Sequence, residues 1–400
     1  MRWASSPAGR RGIVAAMSKP VTVFIKNDTL FLTDPDAPAP APPAPPAPSP
    51  PPAPVPVPPV PSPAPAPSPA PSGRPQYRGA NLTGGGTSFR QWGQGVGPVP
   101  GQHYKFCSLA DVNRLMAKGM TTFRLVFAWE AIQPSEYGDI NALWGNFKTY
   151  SEALHGIVLA ITQKGGHVLL DIHGDSDADF ASYFGQKVGT TTASGQKVED
   201  LLENLWWQLA TKYAGNDHVH YGVTNEPHDI VAATWFAAAQ KVIGGIRRGG
   251  AKTKIVMPGV DWTGAGTWGD HNAKAWNLVD PLNNLAVQVH LYFDQNAGGG
   301  VSDIAYDSVG VDRLQGVTDW ALAKGLEVWV SEVGVTAANP IAAATWAKTL
   351  AFMNANRDVI GGFQFWAEGP PDWWGSYRFE LFDQNGPTPT MNMIASAFAK

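Results

Sequence analysis

From Gln76 to the C-terminus, eight short runs of apolar and β-branched residues alternate with longer amphipathic stretches, and no other feature of the chain narrows its fold as far. The runs are Tyr77–Leu82, Thr121–Trp129, His167–His173, His218–Asn225, Lys254–Asp261, Leu285–Phe293, Leu326–Glu332 and Gly362–Trp366. Strands buried on both faces read as such runs, and crossover helices read as stretches with one apolar stripe. The helix candidates between them are Leu109–Lys118, Gly145–Gln163, Val198–Tyr213, Thr234–Arg248, Gly310–Ala323 and Pro340–Asn354. Right-handed βα units repeated eight times close into an α/β fold, the (β/α)8 TIM barrel, with functional groups at the C-terminal ends of its strands.

The barrel occupies residues 77–400, and what precedes it differs in kind. From Ala37 to Pro71 the chain is nearly all Pro and Ala. Such a sequence excludes helix and ladder hydrogen bonds and favours extended polyproline II. At ~3.1 Å per residue this stretch makes a semi-rigid spacer of roughly 100 Å, and residues 37–76 are expected to be a disordered linker. Residues 1–36 form a short segment in which Val21 to Leu32 reads as two β-rich runs around Asn27-Asp28, a small hairpin.

Charge and cysteine content exclude several functions. A formal net charge of −4 leaves no basic stripe for phosphates, so nucleic acid is not an expected partner. The sole cysteine, Cys107, cannot form an intrachain disulfide. The apolar stretch Gly12 to Met17 is shorter than a signal-peptide core, and no run reaches the ~18 residues that span a membrane. Met17 offers a second start position without adding a signal.

The strands end in polar residues: Arg124 and Glu130 near the second, His173 on the third, Asn225-Glu226 on the fourth, His290 and Tyr292 on the sixth, Glu332 on the seventh and Trp366 on the eighth. A lone Arg or His in a barrel strand is usually structural. Many ionisable groups at one rim are another matter, because burying each is costly unless they pair and serve something. Two carboxylates across a barrel mouth suit glycoside hydrolysis, in which one protonates the leaving oxygen and the other attacks the anomeric carbon. Sixteen Trp supply flat faces on which sugar rings can stack. No cluster has metal-ligand spacing, and Gly298-Gly-Gly300 lacks the Lys-Ser/Thr of a phosphate loop. Neither a metal nor another cofactor is expected.

Six ordered segments carry a specific likeness. Gln208 to Asn216 followed by Tyr221-Gly-Val-Thr-Asn-Glu-Pro-His-Asp229 resembles the acid/base segment of glycoside hydrolase family 5, near the subfamily of fungal-type endo-β-1,4-glucanases. Phe123-Arg-Leu125, Met257-Pro-Gly-Val-Asp-Trp262, Val289-His-Leu-Tyr-Phe-Asp294 and Ser331-Glu-Val-Gly334 follow in the family's order, so that the likeness covers residues 77–398. It implies a retaining endo-β-1,4-glucanase with Glu226 as acid/base and Glu332 as nucleophile. Arg124, His173, Asn225, His290, Tyr292 and Trp366 would surround them, and Trp262 and Trp268, in the loop after strand five, would each either face the leaving group or pack in the core. Gly174-Asp175 departs from the Asn usual after His173. The alternatives are a mannanase, xyloglucanase or mixed-linkage glucanase, or a non-catalytic carbohydrate-binding protein. The expected partner is a β-glucan met by an extracellular monomer, although no standard signal peptide is readable.

Overall fold

The computed structural model describes residues 76–86, 92, 95–173, 182–370 and 377–399, together with the backbone of residues 11–14, 21–26 and 29–31. The chain divides into two compact units, Met1–Pro65 and Ala66–Lys400. In the first, Val21–Lys26 pairs antiparallel with both Arg11–Val14 and Thr29–Phe31. The Pro/Ala stretch and Gly174-Asp175 lie outside the described residues.

In the second unit eight parallel strands close a barrel. They are β1 (Tyr77–Leu82), β2 (Thr122–Phe127), β3 (His167–Ile172), β4 (Val219–Thr224), β5 (Ile255–Pro258), β6 (Leu285–Tyr292), β7 (Glu327–Gly334) and β8 (Ile360–Glu368). Each pairs with the next, and β8 closes on β1. The crossover helices are α1 (Leu109–Ala117), α2 (Gly145–Thr162), α3 (Val198–Tyr213), α4 (Ala232–Arg248), α5 (Val309–Lys324) and α6 (Ala342–Ala355). The sequence locates each to within about two residues. The first begins at a capping box in which Ser108 and Asp111 satisfy each other's backbone N–H. Only the four-residue helix Trp268–His271 follows β5 before β6, in keeping with the absence of an amphipathic run there.

Side-chain alternation splits the apolar core in two. Leu125, Leu170 and Val287 belong to the large layer between sheet and helices, while Leu169, Val256, Ala286 and Trp329 form a small separate cluster with Tyr77. Period-two alternation puts Asn81, Arg124 and Asp171 on the same strand faces as Tyr77, Thr122 and Leu169, four, two and two residues nearer the C-terminal mouth. All three are fully buried, so the apolar cluster lies below a polar layer.

Candidate active site

Arg124 holds the polar layer together. Its fully buried guanidinium donates from NH1 to Glu332 Oε1 at 2.5 Å and Asn81 Oδ1 at 2.9 Å, and from NH2 to Asn225 Oδ1 at 2.6 Å and Asp171 Oδ2 at 2.7 Å. Burial alone would weaken its hold on the proton, yet Asp171 and Glu332 together raise its pKa. The fork geometry of arginine lets one cation set four side chains from β1, β3, β7 and the end of β4.

Irregularities in strand pairing aim the remaining groups. The β6–β7 register shifts between Val289 and His290, so that His290 comes level with Glu332, as bulges beside active sites do. Glu226 follows β4 with φ of +39°, and Val223 within β4 has φ of +64°. A left-handed backbone at a β-branched valine is strained and persists only where its surroundings fix it.

Glu332, nearly buried, accepts from Tyr292 Oη on its second oxygen at 2.5 Å. Glu226, with 18% of its side chain open, has Oε1 2.5 Å from His290 Nδ1. His290 Nδ1 is also 3.5 Å from Glu332 Oε2. One oxygen of each glutamate and the imidazole nitrogen lie within 4.8 Å of one another. Burial pushes the Glu226 carboxyl up to about 7, against the pull of Arg124 and His228. Burial takes His290 down to about 3, so it is neutral, and the Glu226–His290 contact is a hydrogen bond to a neutral ring rather than an ion pair. Burial, and then Glu332, hold the Tyr292 phenol protonated far above its usual range. The same three groups could face one cation, but Arg124 already brings a positive charge onto Glu332.

Aromatic rings border these carboxylates. Trp366 stacks on His173 with centroids 5.3 Å apart and planes 14° apart, and its Nε1 donates to Tyr377 Oη at 3.0 Å. Trp262 is half exposed in a turn of three left-handed residues, Asp261, Trp262 and Thr263. It lies parallel to His228 at 4.8 Å, two residues beyond Glu226. Trp268 takes the other of its two readings: it is fully buried, its ring against Trp276 and Trp320, so it packs the core and does not meet a leaving group.

Sequence reasoning thus named Arg124, His173, Asn225, Glu226, His290, Tyr292, Glu332, Trp366 and Trp262, which the fold brings to this mouth, and passed over Asn81, Asp171, Tyr377 and His228. Alternation could have found two of these. Tyr77, Gly79 and Asn81 share one strand face, and Leu169, Asp171 and His173 share another.

A parallel β/α barrel with two glutamates this close across its mouth belongs, by fold and site, to the glycoside hydrolases. The family model of cellulase, glycosyl hydrolase family 5, matches residues 80–369, and the chain belongs to that family. Endo-beta-1,4-glucanase B of Aspergillus niger is 29% identical over 308 residues, covering 77% of this chain and 86% of that protein. An endo-beta-1,4-glucanase from Xanthomonas axonopodis pv. citri superposes with a TM-score of 0.71 at 28% identity, over 81% of this chain and 98% of that one. The structure of XacCel5A in complex with cellopentaose gives 0.72 at 30% identity, over 80% and 99%.

Proposed function

We propose that this chain is a retaining endo-β-1,4-glucanase that cuts internal bonds of β-1,4-glucan by double displacement, with Glu226 as acid/base and Glu332 as nucleophile. The observation that carries the reading is the approach of the two carboxylates to within 4.8 Å. Retaining enzymes need ~5–5.5 Å, whereas inverting enzymes leave ~6.5–9.5 Å for a water. The electrostatics support the division of labour. Glu226, pushed up to about 7, keeps its proton in mildly acidic solution and begins to lose it near neutrality. Glu332 takes hydrogen bonds on both oxygens, from Arg124 and Tyr292, which fix its orientation towards the mouth.

In the first step a Glu332 oxygen bonds the anomeric carbon as Glu226 gives its proton to the departing sugar oxygen. In the second, Glu226 takes a proton from water, which displaces Glu332 and restores the β configuration. Asn225, held by Arg124, faces the 2-hydroxyl beside the cleaved bond. His290 and Tyr292 keep the carboxylates oriented, Trp366 underlies the sugar that becomes covalently bound, and Trp262 receives the leaving sugar. The relatives named as endo-β-1,4-glucanases, and the cellopentaose complex of a similar structure, support glucan over mannan. Such a polymer is met outside the cell, where we place a monomeric enzyme with a barrel domain at residues 77–400 behind its linker. Proton NMR of freshly cleaved cello-oligosaccharides tests the reading: β-anomers first are expected, and α-anomers first would overturn it. Carboxymethylcellulose assayed against mannan tests the choice of glycan.

A further inference from the structure

Asp171 has no part in the steps above, yet the barrel is built to receive it. Its side chain is fully buried on β3, and Oδ2 accepts from Arg124 NH2 at 2.7 Å. The β3–β4 register shifts between Leu170 and Asp171, which sets Asp171 level with the left-handed Val223. The residue before it in β4 is Gly222, where a Cβ would stand 2.8 Å from Asp171 Oδ1. A bulge, a strained valine and a space only glycine leaves all serve one buried carboxylate, which would be costly without a role. Arg124 is thereby gripped from both sides, by Asp171 and by Glu332.

On the double-displacement reading, glycosylation moves a negative charge. Glu332 bonds the anomeric carbon, the old C–O bond breaks toward the leaving oxygen, and that oxygen takes the Glu226 proton. Glu332 becomes a neutral ester and Glu226 a carboxylate. Arg124 keeps its charge throughout. Of the carboxylates it bonds among the described residues, only Asp171 is then left. We infer that Asp171 is a positioning residue for the reaction, whose carboxylate keeps Arg124 compensated and in place while Glu332 is esterified.

The consequence is an effect of opposite sign on the two half-reactions. Without the Asp171 charge, Arg124 bonds Glu332 alone and stabilises it as a carboxylate, which slows attack. The same preference makes Glu332 a better leaving group from the ester. Burial pushes the Asp171 carboxyl up to about 7 against the pull of Arg124 and the Gln288 amide, and the Glu332 charge adds to the rise. Esterification of Glu332 removes one of those causes and so favours the Asp171 carboxylate at that stage. Burial keeps His173 and His290 neutral.

The test uses Asp171→Asn in the full chain, with dinitrophenyl cellobioside, whose leaving group needs no proton. For such a substrate kcat/KM reports glycosylation, and kcat reports deglycosylation when a burst precedes the steady state. We expect kcat/KM to fall about tenfold or more and kcat to stay within about threefold or rise. Equal losses in both parameters would mean that Asp171 only packs, and would overturn the inference. If Asp171→Asn shows no cooperative melt, Gly222→Ala, which crowds the carboxylate without removing it, should give the same split at smaller size, with equal losses again overturning it. The wild type separates this inference from the reading beneath it. A wild-type enzyme with no burst and no covalent adduct by mass spectrometry removes double displacement itself, whereas a normal burst leaves Asp171 alone on trial.

Discussion

The two ends of the barrel bury polar groups in opposite ways. At the mouth, Arg124 is set against two carboxylates, and Glu226 is hydrogen-bonded to a neutral imidazole. At the N-terminal end the interior holds His167 and His220 beside Tyr77 and Trp329. His220 Nδ1 accepts from the Lys254 backbone N–H at 3.3 Å, so its Nε2 carries the hydrogen and donates to His167 Nδ1 at 3.0 Å. His218 lies tilted against His167 with centroids 4.5 Å apart, and Tyr77 lies over Trp329 at 4.4 Å. The ion pair at this end, Lys254 with Glu327 at 2.7 Å, is partly open to solvent. One end removes charge to satisfy burial; the other keeps charge and opposes it. Only the second arrangement leaves groups able to react, which is why functional residues gather at strand C-termini while the opposite end serves stability.

Substitutions can break that division, and the largest effect is expected at Glu332. Glu332→Gln should lower turnover of an aryl cellobioside to below roughly 1% of wild type, since no covalent intermediate forms. A higher residual rate, measured on protein free of contaminating activity, would show that another nucleophile serves the mouth. Glu226→Ala comes next, with a loss of roughly 10²–10⁴-fold on cellulose, where acid help matters most. Added azide should restore turnover of dinitrophenyl cellobioside as the β-glycosyl azide, and an α-azide would exclude retention. In the wild type the acid must be protonated, so kcat/KM should decline as pH rises through about 7.

The other end should respond in stability instead. Burial lowers His167 to about 4 and takes His220 well below its ordinary value, the latter also through His167 and Lys254. Folded pKa values below the unfolded ~6.5 mean that the stability they confer is complete above that pH and is lost as pH falls towards 4. His220→Gln should therefore melt a few degrees lower at pH 7, by roughly 2–4 °C per kcal/mol, lose less on acidification than wild type, and keep kcat within about twofold. A large fall in kcat at an unchanged melting temperature would erase the distinction between the two ends. The smallest effect is expected from removing residues 1–74, which should leave melting and specific activity of the barrel nearly unchanged, because a Pro/Ala spacer buries little. Loss of the cooperative transition would mean that the domain boundary is misplaced.

The barrel was legible because strands buried on both faces, such as Val219–Thr224, leave continuous apolar runs, and because α2 and α3 keep one apolar stripe each. Glu226 and Glu332 were legible through short ordered segments at strand ends. What stayed hidden depends on contacts between distant strands. Asp171 is 47 residues from Arg124, and nothing local marks it as an ion-pair partner. Trp268 and Trp262 share one loop, and only the packing of Trp276 and Trp320 decides that the first turns inward. The irregularities that aim His290 and Asp171 are likewise set by register between strands, which no single run records.

Asn81 links the first strand to the last two. Its amide donates to the carbonyls of Ser331, Gln364 and Phe365 at 2.9, 3.3 and 3.3 Å, while its oxygen accepts from Arg124. The seam where β8 meets β1 therefore lies directly beneath the guanidinium that orients Glu332. A chain emerging from the ribosome carries Arg124 and Glu226 long before β7 and β8 exist, and the groups that fix Glu332 come together only when that seam shuts. The contacts that order this mouth are therefore those of the finished barrel, and a chain that stops short of its last strand lacks them.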